Sequence, residues 1–403
     1  MTPRTRIAAA AGVMALVGAA LFFLPRRKAN ADAPYVPRDD AEIVELLPTG
    51  ATDPRSRERA LLRKRLDANP RDVALAVRVA RLDIEESRTR SDPRYLGYAQ
   101  AALAPWWDAP DAPPPILVLR ATIRQSLHDF DGALADLDRV VSVSPGDAQA
   151  WLTRSVVLTV RGEYDAAKKS CEPLSSLAGE LVSAVCIASI EAVTGEAKTA
   201  YENLGVALDR NPARSPGEEA WVVSTLAEIA VRLGDTAAAE THFQRALSID
   251  PSDAYALAAY ADLLIDLGRP ADAVRVVGDR TANDGLLLRL ALAEAARGGT
   301  AAAEYAAMLR ERFDASRARG DVVHRREEAR FALVLQHDAA RALDLAKANW
   351  KVQREPWDVR VLLEAAIAAN DPDAARPALD FLAAHHLEDP KIAALAAKLG
   401  KVP

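Results

Sequence analysis

The 403-residue sequence predicts an all-α chain, an α-solenoid of antiparallel helix pairs stacked in a row. Three observations predict it. First, a frame of small residues recurs: Gly234, Ala239, Phe243, Ala246 and Pro251 return as Gly195, Ala200, Leu204, Ala207 and Pro212. The frame continues through Gly268, Ala273 and Val277, and weaker copies run through Gly162, Ala167 and Cys171 and through Ala133, Leu137, Val140 and Pro145. Second, Ala133, Ala167, Ala200, Ala239 and Ala273 are separated by 34, 33, 39 and 34 residues, the length of one two-helix unit. Third, Leu226, Ile229, Ala230 and Leu233 share one face of a 3.6-residue period. A single such unit cannot bury its apolar face, so neighbours must stack.

The elements follow in order. Ile7 to Leu24 is an unbroken apolar or glycine run behind Arg4 and Arg6, at the boundary between a signal-peptide core and a membrane span. Arg26-Arg27-Lys28 suits the flank of an anchor, whereas Ala29-Asn30-Ala31 has the small-x-small form of a cleavage site before Asp32. Positive charge is nearly balanced on the two sides and does not set orientation. Residues 1–31 are therefore expected to be a signal peptide or signal anchor. The expected location is the exported, periplasmic side of a cell envelope, tethered or cleaved; a cytosol-facing domain on a membrane anchor is the alternative.

Residues 32–57 form a linker rich in proline and acid, with a short apolar helix candidate at 41–47, and proline stiffens such segments. Residues 58–113 give an irregular helical repeat and a proline-rich loop, with Asn69-Pro70 ending one helix and Asp92-Pro93 opening another. Residues 114–285 hold the core of about five repeats. Residues 286–403 hold degenerate helical pairs at 286–319, 321–355 and 356–389, closed by a helix over 391–399.

Within a repeat, each recurring residue type has a physical task. Glycine ends the first helix, where the turn needs a positive φ. Glu163, Glu196 and Asp235 follow at the start of the next helix, where the macrodipole favours an acid. Alanine lets two backbones approach, and Pro145, Pro212 and Pro251 stop the second helix.

With this frame and period, the chain resembles the tetratricopeptide-repeat (TPR) superfamily over about residues 114–285. The family's first-helix aromatic stands at Trp151, is Val223 and Leu257 in later copies, and is displaced by two residues at Trp221. The resemblance implies a non-enzymatic scaffold whose partner, another protein or a peptide segment, lies in a concave groove lined by the first helices. Mapped onto this chain, the groove positions are Gln149, Leu152, Val185, Ser189, Trp221, Glu228, Arg232, Tyr255, Asp262 and Asp266. The Lys and Asn of the family's carboxylate clamp are absent from these places. The set is aromatic and acidic, suited to a segment with apolar anchors and some positive charge; alternatively Trp221 and Tyr255 pack between repeats. Trp106 and Trp107, inside APWWDAPDAPPP, either form a secondary surface or cover the open end of the first helix pair.

Chemistry is sparse. Cys171 and Cys186 are the two cysteines, placed symmetrically about the turn near Ala178-Gly179; they either form a disulfide, which suits an exported protein, or serve as small packing residues. The six histidines make no metal-ligand spacing, and phosphate-loop, nucleophile-elbow and dinucleotide motifs are absent. No cofactor, metal or small-molecule substrate is expected. A net charge of −6 argues against nucleic acid as a partner, and the basic cluster 317–326 is expected to be a solvated helix face. The paired acids Glu85-Glu86, Glu218-Glu219 and Glu327-Glu328 are expected to be solvated too. Two further readings remain open: an assembly or accessory factor of a membrane complex acting through its end helices and linker, and, remotely, an enzyme with a dispersed carboxylate site.

Overall fold

The computed structural model describes residues 54–90, 92–320 and 323–400, and the regular elements among them are helices. The apolar run, the Ala29-Asn30-Ala31 sequence and the linker as far as residue 53 lie outside the described residues. Among the described residues, no helix is long and apolar enough to cross a membrane.

Three helices, α1 (Pro54–Ala68), α2 (Val73–Arg90) and α3 (Arg94–Ala102), precede the repeat core, followed by a 3₁₀ turn at Ala104–Trp106. The core runs through α4 (Pro114–Ser126), α5 (Phe130–Val143), α6 (Ala148–Arg161), α7 (Tyr164–Cys171) and the short α8 (Leu174–Ala178). It continues with α9 (Glu180–Glu191), α10 (Ala197–Arg210), α11 (Pro216–Arg232), α12 (Thr236–Ile249), α13 (Ala254–Asp266) and α14 (Pro270–Val277). The C-terminal pairs are α15 (Asp284–Arg297) with α16 (Ala302–Ala318), α17 (Arg325–Val334) with α18 (Ala339–Trp350), and α19 (Pro356–Ala368) with α20 (Arg376–His385). The last helix is α21 (Pro390–Lys398), packed on α19.

The small-residue frame works as close packing. Ala133, Ala167, Ala200, Ala239 and Ala273 are buried, and Phe243 stacks on Tyr260 of the next unit with ring centroids 5.5 Å apart. The caps sort by side-chain length. Asp129, Asp147, Asp235 and Asp253 each accept a main-chain N–H in the first turn of their helix, whereas Glu163 and Glu196, one methylene longer, make no such bond. Degenerate turns replace glycine with residues that tolerate the left-handed region: His128, His337 and Asn370 have φ of 60°, 54° and 53°, and each precedes a capping Asp.

A long-range feature has no counterpart in the repeat pattern. The C-terminal helices fold back onto the first helices of the core. The Arg354 N–H donates to the Val160 carbonyl at 2.7 Å, and the Ala197 N–H donates to Glu388 at 3.3 Å. A Cβ at Gly162 would stand 2.8 Å from the Phe381 ring, and one at Gly195 would stand 2.9 Å from His386, so these two turns need glycine twice over. One apolar core accordingly joins Leu158, Ile190 and Val193 to Leu362, Phe381 and Leu395.

Two expectations are corrected by the same packing. The basic segment and the acids beside it are a solvated face only in part: Arg317 and Arg319 are exposed, but Glu328 is buried between Arg317 and Arg341, and Arg326 donates to Glu355 at 2.7 Å. Nor do Cys171 and Cys186 flank a single turn near Ala178-Gly179, because the short α8 stands between the helices that carry them.

Candidate functional site

The first helices of successive units, α6, α9 and α11, line a cavity of about 640 Å³, within the range of ordinary ligand sites. Its floor comes from Ser155, Thr159 and Ser189, its wall from Trp221, Ser224 and Thr225, and its rim from Asp250, Asp253 and Tyr255. Glu355 and Pro356, at the start of α19, close one side. These residues face inward because helical spacing puts Trp221, Thr225, Glu228 and Arg232 on one stripe of α11, while Val222, Val223, Leu226 and Ile229 pack outward into the neighbouring repeats.

Hydroxyl groups in the floor are partly spent on their own helices: Thr159 donates to the Ser155 carbonyl at 2.8 Å, Ser189 to Val185 at 2.8 Å, and Thr225 to Trp221 at 3.0 Å. Cys186 also lines the cavity and is joined to Cys171 by a disulfide with Cα atoms 5.7 Å apart, and the Ser155 hydroxyl lies 3.2 and 3.3 Å from the two sulfurs. The bond ties α7 to α9, the second helix of one unit to the first helix of the next.

Electrostatics concentrate at one edge. The Tyr255 hydroxyl donates to the Glu228 carboxylate, and Arg232 donates to the Glu228 carbonyl at 3.2 Å. Burial pushes the Glu228 carboxyl above its ordinary value, more than Arg232 and Tyr255 together pull it down. Burial and then the Glu228 charge push the Tyr255 hydroxyl well up. Tyr255 still exposes 62% of its area, so the adjacent carboxylate is the firmer of those two causes. Four carboxylates line the cavity, but each is engaged by its own chain. Asp250 accepts from Ser252, Asp253 caps α13, Glu355 accepts from Arg326, and Glu228 accepts from Tyr255.

Of the groove positions expected from the sequence, Leu152, Ser189, Trp221, Glu228, Arg232 and Tyr255 line this cavity. The other four do not. Gln149 is exposed outside it and donates to Thr153 at 2.9 Å. Val185 is fully buried in the core between repeats. Asp262 is held by Arg289 and Arg330 at 2.7 and 2.8 Å, and Asp266 by Arg360 and Lys391. Asp262 is buried because the C-terminal helices occupy that part of the groove, whereas Asp266 is paired with them but stays exposed at its edge. Trp106 and Trp107 pack half-buried against the N-terminal core, and their carbonyls accept from Arg120 at 2.6 and 2.7 Å. Sequence reasoning missed Tyr164 and Glu355 in the lining. Tyr164 opens a second helix rather than a first, and Glu355 arrives from another repeat. Among the described residues, no group of three or more His, Cys, Asp or Glu is arranged to hold a metal ion.

Two stretches match tetratricopeptide-repeat family models: residues 118–169 and 230–286. The match supports the tetratricopeptide-repeat superfamily. No curated protein matches the chain by sequence. Among solved structures, a tetratricopeptide repeat protein from Parabacteroides merdae is 16% identical, with a TM-score of 0.38, over 71% of this chain and 98% of that one. The human IFIT1 dimer with PPP-AAAA is 14% identical, with a TM-score of 0.44, over 76% of this chain and 71% of that one. The APC/C hetero-tetramer Cut9-Hcn1 is 14% identical, with a TM-score of 0.41, over 86% of each chain.

Proposed function

We propose that this chain is a non-enzymatic scaffold that captures a segment of another protein in the cavity between α6, α9 and α11. The observation that carries this reading is the cavity itself. It is preformed by the repeat frame, lined by Trp221, Tyr164 and Tyr255, and bounded on one side by Glu355 and Pro356 of the C-terminal region. A preformed surface binds with little ordering cost. Catalysis is disfavoured by the commitment of Asp250, Asp253 and Glu355 to structural partners. That leaves Glu228 without the second acid or base that acid–base chemistry would need.

The scaffold is further proposed to act on the exported side of a cell envelope. Two features support this: the apolar run from Ile7 to Leu24 behind Arg4 and Arg6, and the Cys171–Cys186 disulfide, which suits an oxidising compartment. A second reading, an assembly factor acting through its end helices, draws on the exposed Leu61 and Tyr98 at the N-terminal end of the described residues. Crosslinked affinity capture from membrane fractions separates the two. Trp221→Ala with Tyr255→Ala should abolish capture under the cavity reading, and Leu61→Ala with Tyr98→Ala should do so under the other. N-terminal sequencing and thiol labelling of the mature chain test export; free thiols would remove that support.

A further inference from the structure

Arg232 is the basic residue of the cavity lining, and its charge bears on Glu228 without a direct ion pair. Its guanidinium makes one hydrogen bond, to the Glu228 carbonyl, and among the described residues it forms no ion pair; its Nε–H, buried beside the cavity, has no acceptor. Ser224, one helical repeat of two turns away on the same face of α11, is 5% exposed and its hydroxyl also lacks a partner. Two buried donors left open cost stability unless something supplies an acceptor. That acceptor is not a free anion, because four carboxylates share the cavity with one guanidinium, and Glu355 already opposes the ionisation of Glu228 across it. A neutral acceptor accompanied by a cation meets both requirements.

The geometry points to an extended polypeptide segment bearing a basic side chain, whose separate main-chain carbonyls accept from Arg232 and from Ser224 while its ammonium or guanidinium lies against the free acceptor sites of Glu228 and Glu355. Trp221 and Tyr164 supply the apolar contact for the neighbouring residue. The inference rests on the cavity reading above and adds the chemistry of the occupant.

The test is a positional-scanning library of N-acetylated, C-amidated hexapeptides presented to the purified full chain, followed by fluorescence anisotropy on selected sequences. Enrichment of Lys or Arg at one position beside an aromatic or aliphatic residue is expected. Replacing that basic residue with norleucine should weaken binding roughly tenfold, as loss of a hydrogen bond to a charged group does. Glu228→Gln should remove the preference for the basic residue. Arg232→Lys, which keeps the charge but loses the Nε–H, should weaken all selected peptides alike. Enrichment of acidic residues, equal binding of free spermidine, or no enrichment while Trp221→Ala still weakens partner capture would overturn this inference and leave the cavity reading standing. Partner capture indifferent to Trp221→Ala would overturn the cavity reading itself.

Discussion

Tyr255 and Asp266 stand at opposite ends of one helix, α13, on a groove surface that the repeat pattern treats as uniform. At the N-terminal end Tyr255 is open, hydrogen-bonded to Glu228 and bordering the cavity. At the C-terminal end Asp262 is buried between arginines of α15 and α17, and the exposed Asp266 is paired with an arginine of α19. The Trp357 ring lies between two of these arginines, with Arg330 at 4.1 Å and Arg360 at 4.3 Å from its centroid. The difference teaches that a repeat surface becomes a binding site only where the chain does not spend it on itself. In the covered half, carboxylates serve stability; in the open half, aromatic and polar groups remain for the partner proposed above.

The sharpest way to break the comparison is Asp262→Ala. Asp262 is 4% exposed, and its removal leaves two buried guanidinium groups without their carboxylate. The expected loss is about 3–5 kcal/mol, read by urea unfolding. A loss below about 1 kcal/mol would mean that the covered half is not held by this triad. The same group sets an acid limit. Burial alone would raise the Asp262 carboxyl, but Arg289 and Arg330 outweigh it and hold it down to about 2, below its ordinary 3.8. A depressed carboxyl contributes its full stabilisation above about pH 4 and loses it as pH falls towards 2. The Asp262→Ala variant should therefore show a flatter acid limb than the parent chain.

Next in size is the floor of the open half. Reducing the disulfide, or Cys171→Ser with Cys186→Ser, should cost about 3 kcal/mol for a loop closed across 15 residues. Because the bond ties α7 to α9 at the cavity, partner affinity should fall along with stability. Unchanged affinity in the folded variant would separate the floor from the site. The smallest effect is expected from Arg360→Ala, which removes the partly exposed pair with Asp266 at a cost of about 1 kcal/mol. Hydrogen exchange should then rise in α19 and α21 and stay unchanged in α11.

The sequence made the helix pairs legible because they depend on neighbours. Glycine, alanine and proline at fixed offsets encode the turn, the close approach and the stop within one unit and its successor. The cavity stripe on α11 was legible for the same reason, since Trp221, Glu228 and Arg232 follow from helical spacing. The fold-back was not. Asp262 meets Arg330 across 68 residues and Asp266 meets Arg360 across 94, and nothing in a nearest-neighbour pattern relates them. A partial signal did exist in the degenerate turns. His128-Asp129, His337-Asp338 and Asn370-Asp371 repeat the Gly234-Asp235 turn with residues that accept a positive φ, and they mark the register of the weaker pairs.

The central claim is that the open half of the groove, not the ends of the chain, meets the partner. A photo-crosslinking residue placed at position 221 and, separately, at the 60% exposed Leu61 tests it in living cells. Adducts to one discrete partner from position 221 and none from position 61 are the predicted result. Adducts from position 61 with none from 221 would contradict the account.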